Sequence, residues 1–186
     1  MGLALADAAA DYGALVTLVL GPVNISPKNP SVRIINVSTA DSMAKATIEE
    51  FINCDIAILS AAVADYTPAE TSAEKLKKKK EEMVLHLKPT TDIAAELGKR
   101  KTGKQLLAGF ALETSNEIEN AKDKLLRKNL DLIVLNSLRE EGAGFGLDTN
   151  RITIIDRNNN IDKFELKSKE AAARDILDKI VAILKK

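Results

Sequence analysis

The sequence predicts an α/β domain built on a doubly wound, mostly parallel sheet, with a C-terminal β-hairpin and helix. Three observations predict it. Short apolar runs alternate with segments whose apolar residues recur at helical spacing, the order expected when helices connect parallel strands. Several of those runs are continuously apolar, as strands buried on both faces are. Near the C-terminus two runs are joined by Arg157-Asn158-Asn159-Asn160, a turn-rich stretch that marks a hairpin.

The elements follow in order. Leu5, Ala8, Ala9 and Tyr12 share one helical face, and Gly13 closes that helix. Residues 14–20 form a continuous apolar strand, expected to be buried on both faces and ended by Gly21-Pro22. Residues 32–37 read as a strand, and Ala44, Ile48 and Phe51 mark a helix. Residues 55–60 are the next strand, residues 83–87 a short one, and a helix starts near Thr91 with Ile93, Ala94 and Leu97 inward. Residues 105–110 form a strand, Ile118, Ala121 and Leu125 a helix, and residues 131–135 a strand. Residues 151–155 and 161–166 make the hairpin, and Ala173, Ile176, Leu177, Ile180 and Leu184 line the last helix. The chain opens directly in a helix, whereas a helix of this class follows a strand. The expectation is a domain that lacks its first strand and βα turn.

Bulk properties narrow the function. With 186 residues, 45% of them hydrophobic, residues 1–186 form one domain with a substantial core. Lys plus Arg equals Asp plus Glu at 27 each, so net charge draws the chain to neither nucleic acid nor membrane. Aromatic residues make up 3%, which argues against base stacking on RNA. No apolar run approaches the roughly 20 residues that span a bilayer. Cys54 is the single cysteine, so no internal disulfide forms, and a reducing, cytoplasmic setting fits. Cys54 itself reads as a small core residue. His86 is the one histidine, which disfavours a Ser-His-Asp triad or a multi-histidine metal site.

Ligands of open α/β sheets sit beyond the carboxyl ends of the strands, and that rule selects the candidate residues. Ala61-Ala62-Val63-Ala64-Asp65-Tyr66 follows a strand; its small side chains admit a ligand to the backbone, and Asp65 offers an acceptor to a hydroxyl or a metal. The same stretch is equally a tight loop with a capping Asp. Glu74-Lys75-Leu76-Lys77-Lys78-Lys79-Lys80 is either a solvated face or a basic flap that closes on polyphosphate. Thr90-Thr91-Asp92-Ile93 opens a helix, with Thr caps and leftover N–H donors that suit an anion; plain capping accounts for it as well. Phe110, in Gly109-Phe110-Ala111-Leu112-Glu113-Thr114, packs on a base or in the core. Lys124, Arg127 and Lys128 share a helix face that meets phosphate or water, and Asn136 ends a strand as a polar contact. Neither a phosphate-loop motif nor a Gly-x-Gly-x-x-Gly fingerprint occurs, and Gly142-Ala143-Gly144-Phe145-Gly146 reads as a flexible loop.

Taken in this order, the segments Gly13 to Val23, Ala61 to Tyr66, Glu74 to Lys78, Gly109 to Thr114 and Lys128 to Asp131 resemble phosphopantothenate–cysteine ligase, the synthetase often fused to a flavin-dependent decarboxylase in bacteria. The resemblance covers essentially the whole chain and implies a Rossmann-like fold. It implies activation of 4′-phosphopantothenate by CTP as an acyl-cytidylate, then attack by the amine of cysteine, with Mg²⁺ and a homodimer. It places nucleotide contacts at Leu59, Ser60, Ala61, Asp65, Lys75, Phe110, Lys124 and Lys128, and at Thr91, Asp92, Ile93 and Ala94 where the spacing departs slightly from the family's. Lys75 is the catalytic candidate, metal ligands stay unassigned, and flavin is not expected in this domain. A family strand and turn ending in a Lys-Met-Gly-like step is matched only by Met1-Gly2, so the resemblance implies impaired ligase activity here. A dinucleotide-dependent oxidoreductase and a non-catalytic binding domain are the alternatives.

Overall fold

The computed structural model describes residues 1–72, 74–77, 83–113, 115–137 and 148–185. The glycine-rich stretch 142–146, Thr114 and Lys78 to Lys80 lie outside the described residues.

Helix α1 (Gly2–Asp11) ends as its sequence requires. Gly13 adopts φ 85°, its N–H donates to the Ala10 carbonyl, and the Ala14 N–H donates to Ala9. This double closure places a left-handed residue just past the helix, where glycine costs least. Strand β1 (Thr17–Leu20) pairs in parallel with β2 (Arg33–Asn36). Helix α2 (Ala40–Phe51) opens on a capping box, with Thr39 and Ser42 exchanging side-chain and backbone hydrogen bonds of 3.0 Å. Strand β3 (Ile56–Leu59) follows, then an antiparallel arm of β4 (Tyr66–Pro68) and β5 (Leu87–Pro89). Helix α3 (Ile93–Arg100), β6 (Leu106–Glu113), α4 (Glu117–Arg127) and β7 (Leu132–Ser137) complete the alternating part. The chain closes with β8 (Thr149–Asn150), β9 (Ile152–Asp156), β10 (Ile161–Lys163), β11 (Lys167–Ser168) and α5 (Lys169–Leu184).

The main sheet has five strands in the order β10-β9-β7-β6-β3. Strands β3, β6 and β7 run parallel; β9 and β10 add the antiparallel end read from the Asn-rich turn. Alternate side chains of these strands enter two cores, so the domain has three layers. Leu106, Ala108, Leu132, Val134, Ile152 and Ile154 pack with Leu5 and Ala8 of α1 and with Ala172, Ile176 and Ile180 of α5. Leu107, Ala111, Ile133, Leu135 and Ile155 pack on the other face with Phe51 of α2, Leu97 of α3 and Ala121 and Leu125 of α4. At Gly109 of β6 a Cβ would stand 2.8 Å from a methyl of Leu130, so a larger residue there would push that side chain aside.

Three expectations fail. The run at 14–20 is not buried on both faces. Its strand begins at Thr17, and Leu15 is fully exposed, because β1 and β2 form a separate two-stranded sheet. The strand expected at 83–87 lies instead at Leu87–Pro89, and Met83, Val84 and Leu85 are exposed. Pairing with Tyr66–Pro68 sets that register, and apolar composition alone could not place it. The second hairpin arm also stops at Lys163 rather than 166. Cys54 is partly buried against the second core and raised in pKa by burial and by Asp55, in keeping with an inert small core residue. No described helix is long and apolar enough to cross a membrane.

Candidate functional site

The carboxyl ends of β3 and β6 bring most of the selected residues to one edge. Leu59 pairs with Gly109, which sets Ser60 and Ala61 beside Phe110 on the neighbouring strand. Leu59 and Val63 pack against the same core as Ala94, while Phe110 lies against the opposite core with Ile58. The start of α1 reaches this edge too, since a Cβ at Gly2 would lie 3.7 Å from Ser60 Oγ.

Thr90 ties two of the selected loops together. Its hydroxyl donates to the Ala64 carbonyl at 2.6 Å and its N–H donates to the Asp65 carbonyl at 2.9 Å. The Ala61–Asp65 stretch is thereby held against the entry to α3, with the Asp65 and Thr91 side chains exposed. The cap of α3 is Asp92 and not a threonine: its Oδ1 accepts from the Ala95 N–H at 3.1 Å. A carboxylate outcompetes a hydroxyl here because it also meets the positive end of the helix. Ile93 is buried in the core, so a ligand can meet only its backbone.

The shared face of Lys124, Arg127 and Lys128 is divided among three partners. Lys128 Nζ donates to Asp92 Oδ1 at 3.0 Å, Lys124 Nζ to Glu113 Oε1 at 2.5 Å, and Arg127 Nε to Asp123 at 2.6 Å. Burial pushes the Asp92 carboxyl up, but the hydrogen bonds from Lys128 and Ala95 and the Lys128 and Arg127 charges outweigh it. The net effect holds that carboxyl below the usual range. Lys124 and Lys128 are thus each held by a carboxylate from a neighbouring element. Lys75 is exposed on the segment between β4 and β5 and has no ion-pair partner among the described residues.

Glu113 and Asn150 were not among the selected residues. Glu113 orients Lys124 and accepts from Asn120 Nδ2 at 3.3 Å. The amide oxygens of Asn136 and Asn150 are buried without a hydrogen-bond partner among the described residues. Asn136 was visible as a polar residue closing an apolar strand. Asn150 carries no such signal. Among the described residues no group of three or more His, Cys, Asp or Glu is arranged to hold a metal ion.

Fold and edge together define a doubly wound, Rossmann-like α/β domain whose carboxyl edge carries carboxylate-held lysines. Residues 1–184 match the family described as the DNA/pantothenate metabolism flavoprotein C-terminal domain, and the chain belongs to that family. It is 42% identical over 185 residues, all of this chain and 45% of its relative, to the coenzyme A biosynthesis bifunctional protein CoaBC of Bacillus subtilis strain 168. It is 61% identical over 184 residues, 99% of this chain and 51% of its relative, to a cysteine/cysteine sulfinic acid decarboxylase of an unknown prokaryotic organism. The chain therefore spans about half the length of these curated relatives. Among solved structures, the C-terminal domain of a CoaBC superposes with TM-score 0.81 at 38% identity, over 99% of this chain and 83% of that one. A DNA/pantothenate metabolism flavoprotein from Streptococcus pneumoniae shares the fold at TM-score 0.80 and 22% identity, over 97% of this chain and 86% of that one.

Proposed function

We propose that this chain is a phosphopantothenate–cysteine ligase domain that joins 4′-phosphopantothenate to cysteine at the expense of CTP. One observation carries the reading: the family match over residues 1–184, borne on a fold that superposes on a CoaBC C-terminal domain at 38% identity. The site chemistry is compatible with it. A carboxylate oxygen of phosphopantothenate attacks the α-phosphorus of CTP, pyrophosphate leaves, and an acyl-cytidylate forms. The cysteine amine then attacks the acyl carbon, CMP leaves with the bonding electrons, and the amine gives up a proton. Negative charge builds on the phosphoryl oxygens in the first step, and a lysine at that point stabilises it more in the transition state than before it.

In this reading Leu59, Ser60, Ala61 and Phe110 form the floor for base and ribose, and Asp65 accepts from a hydroxyl. The backbone at Thr91 to Ala94 with Lys124 and Lys128 takes the triphosphate, and Lys75 approaches the α-phosphate from an exposed segment. The donor set suits Mg²⁺ held mainly by phosphate oxygens, with Asp65 the carboxylate at hand; such an ion supplies charge neutralisation when bound. The working unit is a cytoplasmic homodimer. Exposed Tyr66, Leu76, Met83, Val84, Leu85 and Leu87 on the β4–β5 arm support the pairing of two copies. A decarboxylase half, fused or separate, is the expected companion of this domain, and no flavin is expected within the domain itself.

Release of pyrophosphate with CTP, phosphopantothenate and cysteine tests the proposal. The expected result is CTP-dependent formation of phosphopantothenoylcysteine. Product formed with ATP and none with CTP contradicts the nucleotide assignment. No product with either, even when the chain is joined to a relative's preceding half, contradicts the ligase assignment.

A further inference from the structure

Glu113 closes β6 at the carboxyl edge, on the same face of the strand as Leu107 and Ala111, which is the face that α4 covers. Its carboxylate is divided between two residues of that helix. Oε1 accepts from Lys124 Nζ at 2.5 Å, and Oε2 accepts from Asn120 Nδ2 at 3.3 Å. Asn120 also donates to the Ser115 carbonyl at 2.9 Å. Asn116, which opens α4 in the left-handed region at φ 44°, makes no side-chain cap. The polar tie between strand and helix therefore runs through Glu113 and Asn120.

Asn120, Lys124 and Lys128 recur at every fourth residue and form one stripe along α4. The two lysines of the stripe are held unequally. The Glu113 side chain is 14% accessible, against 50% for Asp92, the partner of Lys128. Glu113 also stands on a strand bonded on both sides, to β3 and β7, whereas Asp92 opens a helix. An ammonium carries three donors on a flexible stem. Glu113 takes one of them and fixes the nitrogen, and the other two stay free to meet phosphate oxygens.

We propose that Glu113 is a positioning residue of the nucleotidyl-transfer step, holding the Lys124 ammonium at a fixed point of the edge where it meets the charge of the leaving pyrophosphate. This rests on the ligase reading, in which Lys124 contacts the triphosphate. As the phosphopantothenate carboxylate bonds to the α-phosphorus, the bond from that phosphorus to the bridging oxygen breaks. Its electron pair stays on pyrophosphate. A donor fixed in advance at the growing charge needs no reorganisation as the bond breaks. The same carboxylate offsets part of the lysine charge, so it does not strengthen binding of the intact triphosphate. Glu113 thus acts on rate and not on nucleotide affinity.

A double-mutant cycle with Lys124 tests this. Glu113→Gln keeps the shape of the side chain but has one oxygen for the two donors that the carboxylate receives, and it lacks the charge. In the parent it is expected to slow single-turnover pyrophosphate release at saturating CTP by about tenfold, less than the hundredfold usual for loss of a donor itself. In Lys124→Ala it is expected to change the rate no further, because the two residues act as one unit. The dissociation constant for CTP, read by calorimetric titration, is expected to hold or to fall. Glu113→Asp keeps the charge on a stem one methylene shorter, and the same pattern is expected from it should the amide variant unfold. Equal slowing in the parent and in Lys124→Ala overturns the proposal, since Glu113 would then act other than through Lys124. An unchanged rate, or CTP binding weakened as much as the rate, overturns it too. Those outcomes leave the ligase reading standing; a parent that forms no product with either nucleotide removes the reading and the proposal together.

Discussion

The ammonium of Lys128 lies 3.0 Å from Oδ1 of Asp92, joining the end of α4 to the residue that caps α3. The pair is half-exposed, with side chains 25% and 50% accessible, so as a stability element it contributes at most about 1 kcal/mol. In the proposed reaction its consequence is for binding. A carboxylate that holds a lysine at the edge also competes with an incoming phosphate for that lysine.

Lys128→Ala is therefore expected to weaken CTP binding by about tenfold, or about 1.4 kcal/mol, with little change in melting temperature. Asp92→Asn retains a good helix cap and releases the ammonium, so CTP binding is expected to hold or to tighten by a few-fold. Calorimetric titration of the two variants checks both. Equal weakening in both would mean that the pair positions α3 and does not restrain a ligand-binding lysine.

Lys75 carries the catalytic assignment from an exposed segment with no ion pair among the described residues. Lys75→Ala is expected to leave the fold intact and to lower the rate of pyrophosphate release by about a hundredfold or more, the usual loss for one transition-state donor. CTP affinity should change far less. Single-turnover measurement at saturating CTP separates the two.

Gly98 sets the approach of α3 to the end of α4. A Cβ there would overlap the carbonyl oxygen of Lys128, a backbone atom that no rotamer change can move aside. Gly98→Ala is expected to destabilise by about 1–3 kcal/mol, the usual cost of overpacking, and to disturb the Lys128–Asp92 distance. Urea denaturation reads the loss, and an unchanged midpoint would show that the helices separate freely.

Asp156 gives a pH signature. It is 5% exposed and accepts from the Asn158 N–H, the Asn160 N–H and the Asn160 side chain, with Lys179 at 3.2 Å. Burial pushes its carboxyl up, but Asn160 and Lys179 together pull it below the ordinary value. A depressed carboxyl contributes stability in full above the unfolded value of about 3.9, and loses it as pH falls through the folded value. Asp156→Asn is expected to cost about 2 kcal/mol at pH 7, with the gap to the parent closing below about pH 4. A gap that stays constant through the acid range would assign the loss to turn geometry alone.

The layers of the domain were legible because its strongest elements are uninterrupted and local. Residues 106–111 and 132–135 are apolar without a break, as strands buried on two faces are, although the run at 14–20 shows that such a run does not by itself cover both faces. The Schellman-type end of α1 was likewise readable from Gly13. What the sequence hid depends on pairing across distance. The strand at Leu87–Pro89 is set by hydrogen bonds to a three-residue partner at Tyr66–Pro68 that has no apolar pattern of its own. Asp92, not Thr91, caps α3, because Lys128 arrives from 36 residues away to stabilise its charge. The edge residues were selected by their position after strands. Their division into carboxylate-held lysines needed Glu113 and Asp92 in three dimensions.

A thermal-shift titration of this chain with CTP, ATP and NAD, each with Mg²⁺, tests the central claim most directly. A ligand that binds only the folded state at a hundred times its dissociation constant stabilises by about 2.7 kcal/mol, a readily measured rise in melting temperature. A rise with CTP is expected that is about halved in Lys128→Ala, where a tenfold loss of affinity leaves about 1.4 kcal/mol, with a smaller rise or none with NAD. No rise with any nucleotide, or a rise with NAD that exceeds the one with CTP, would contradict it.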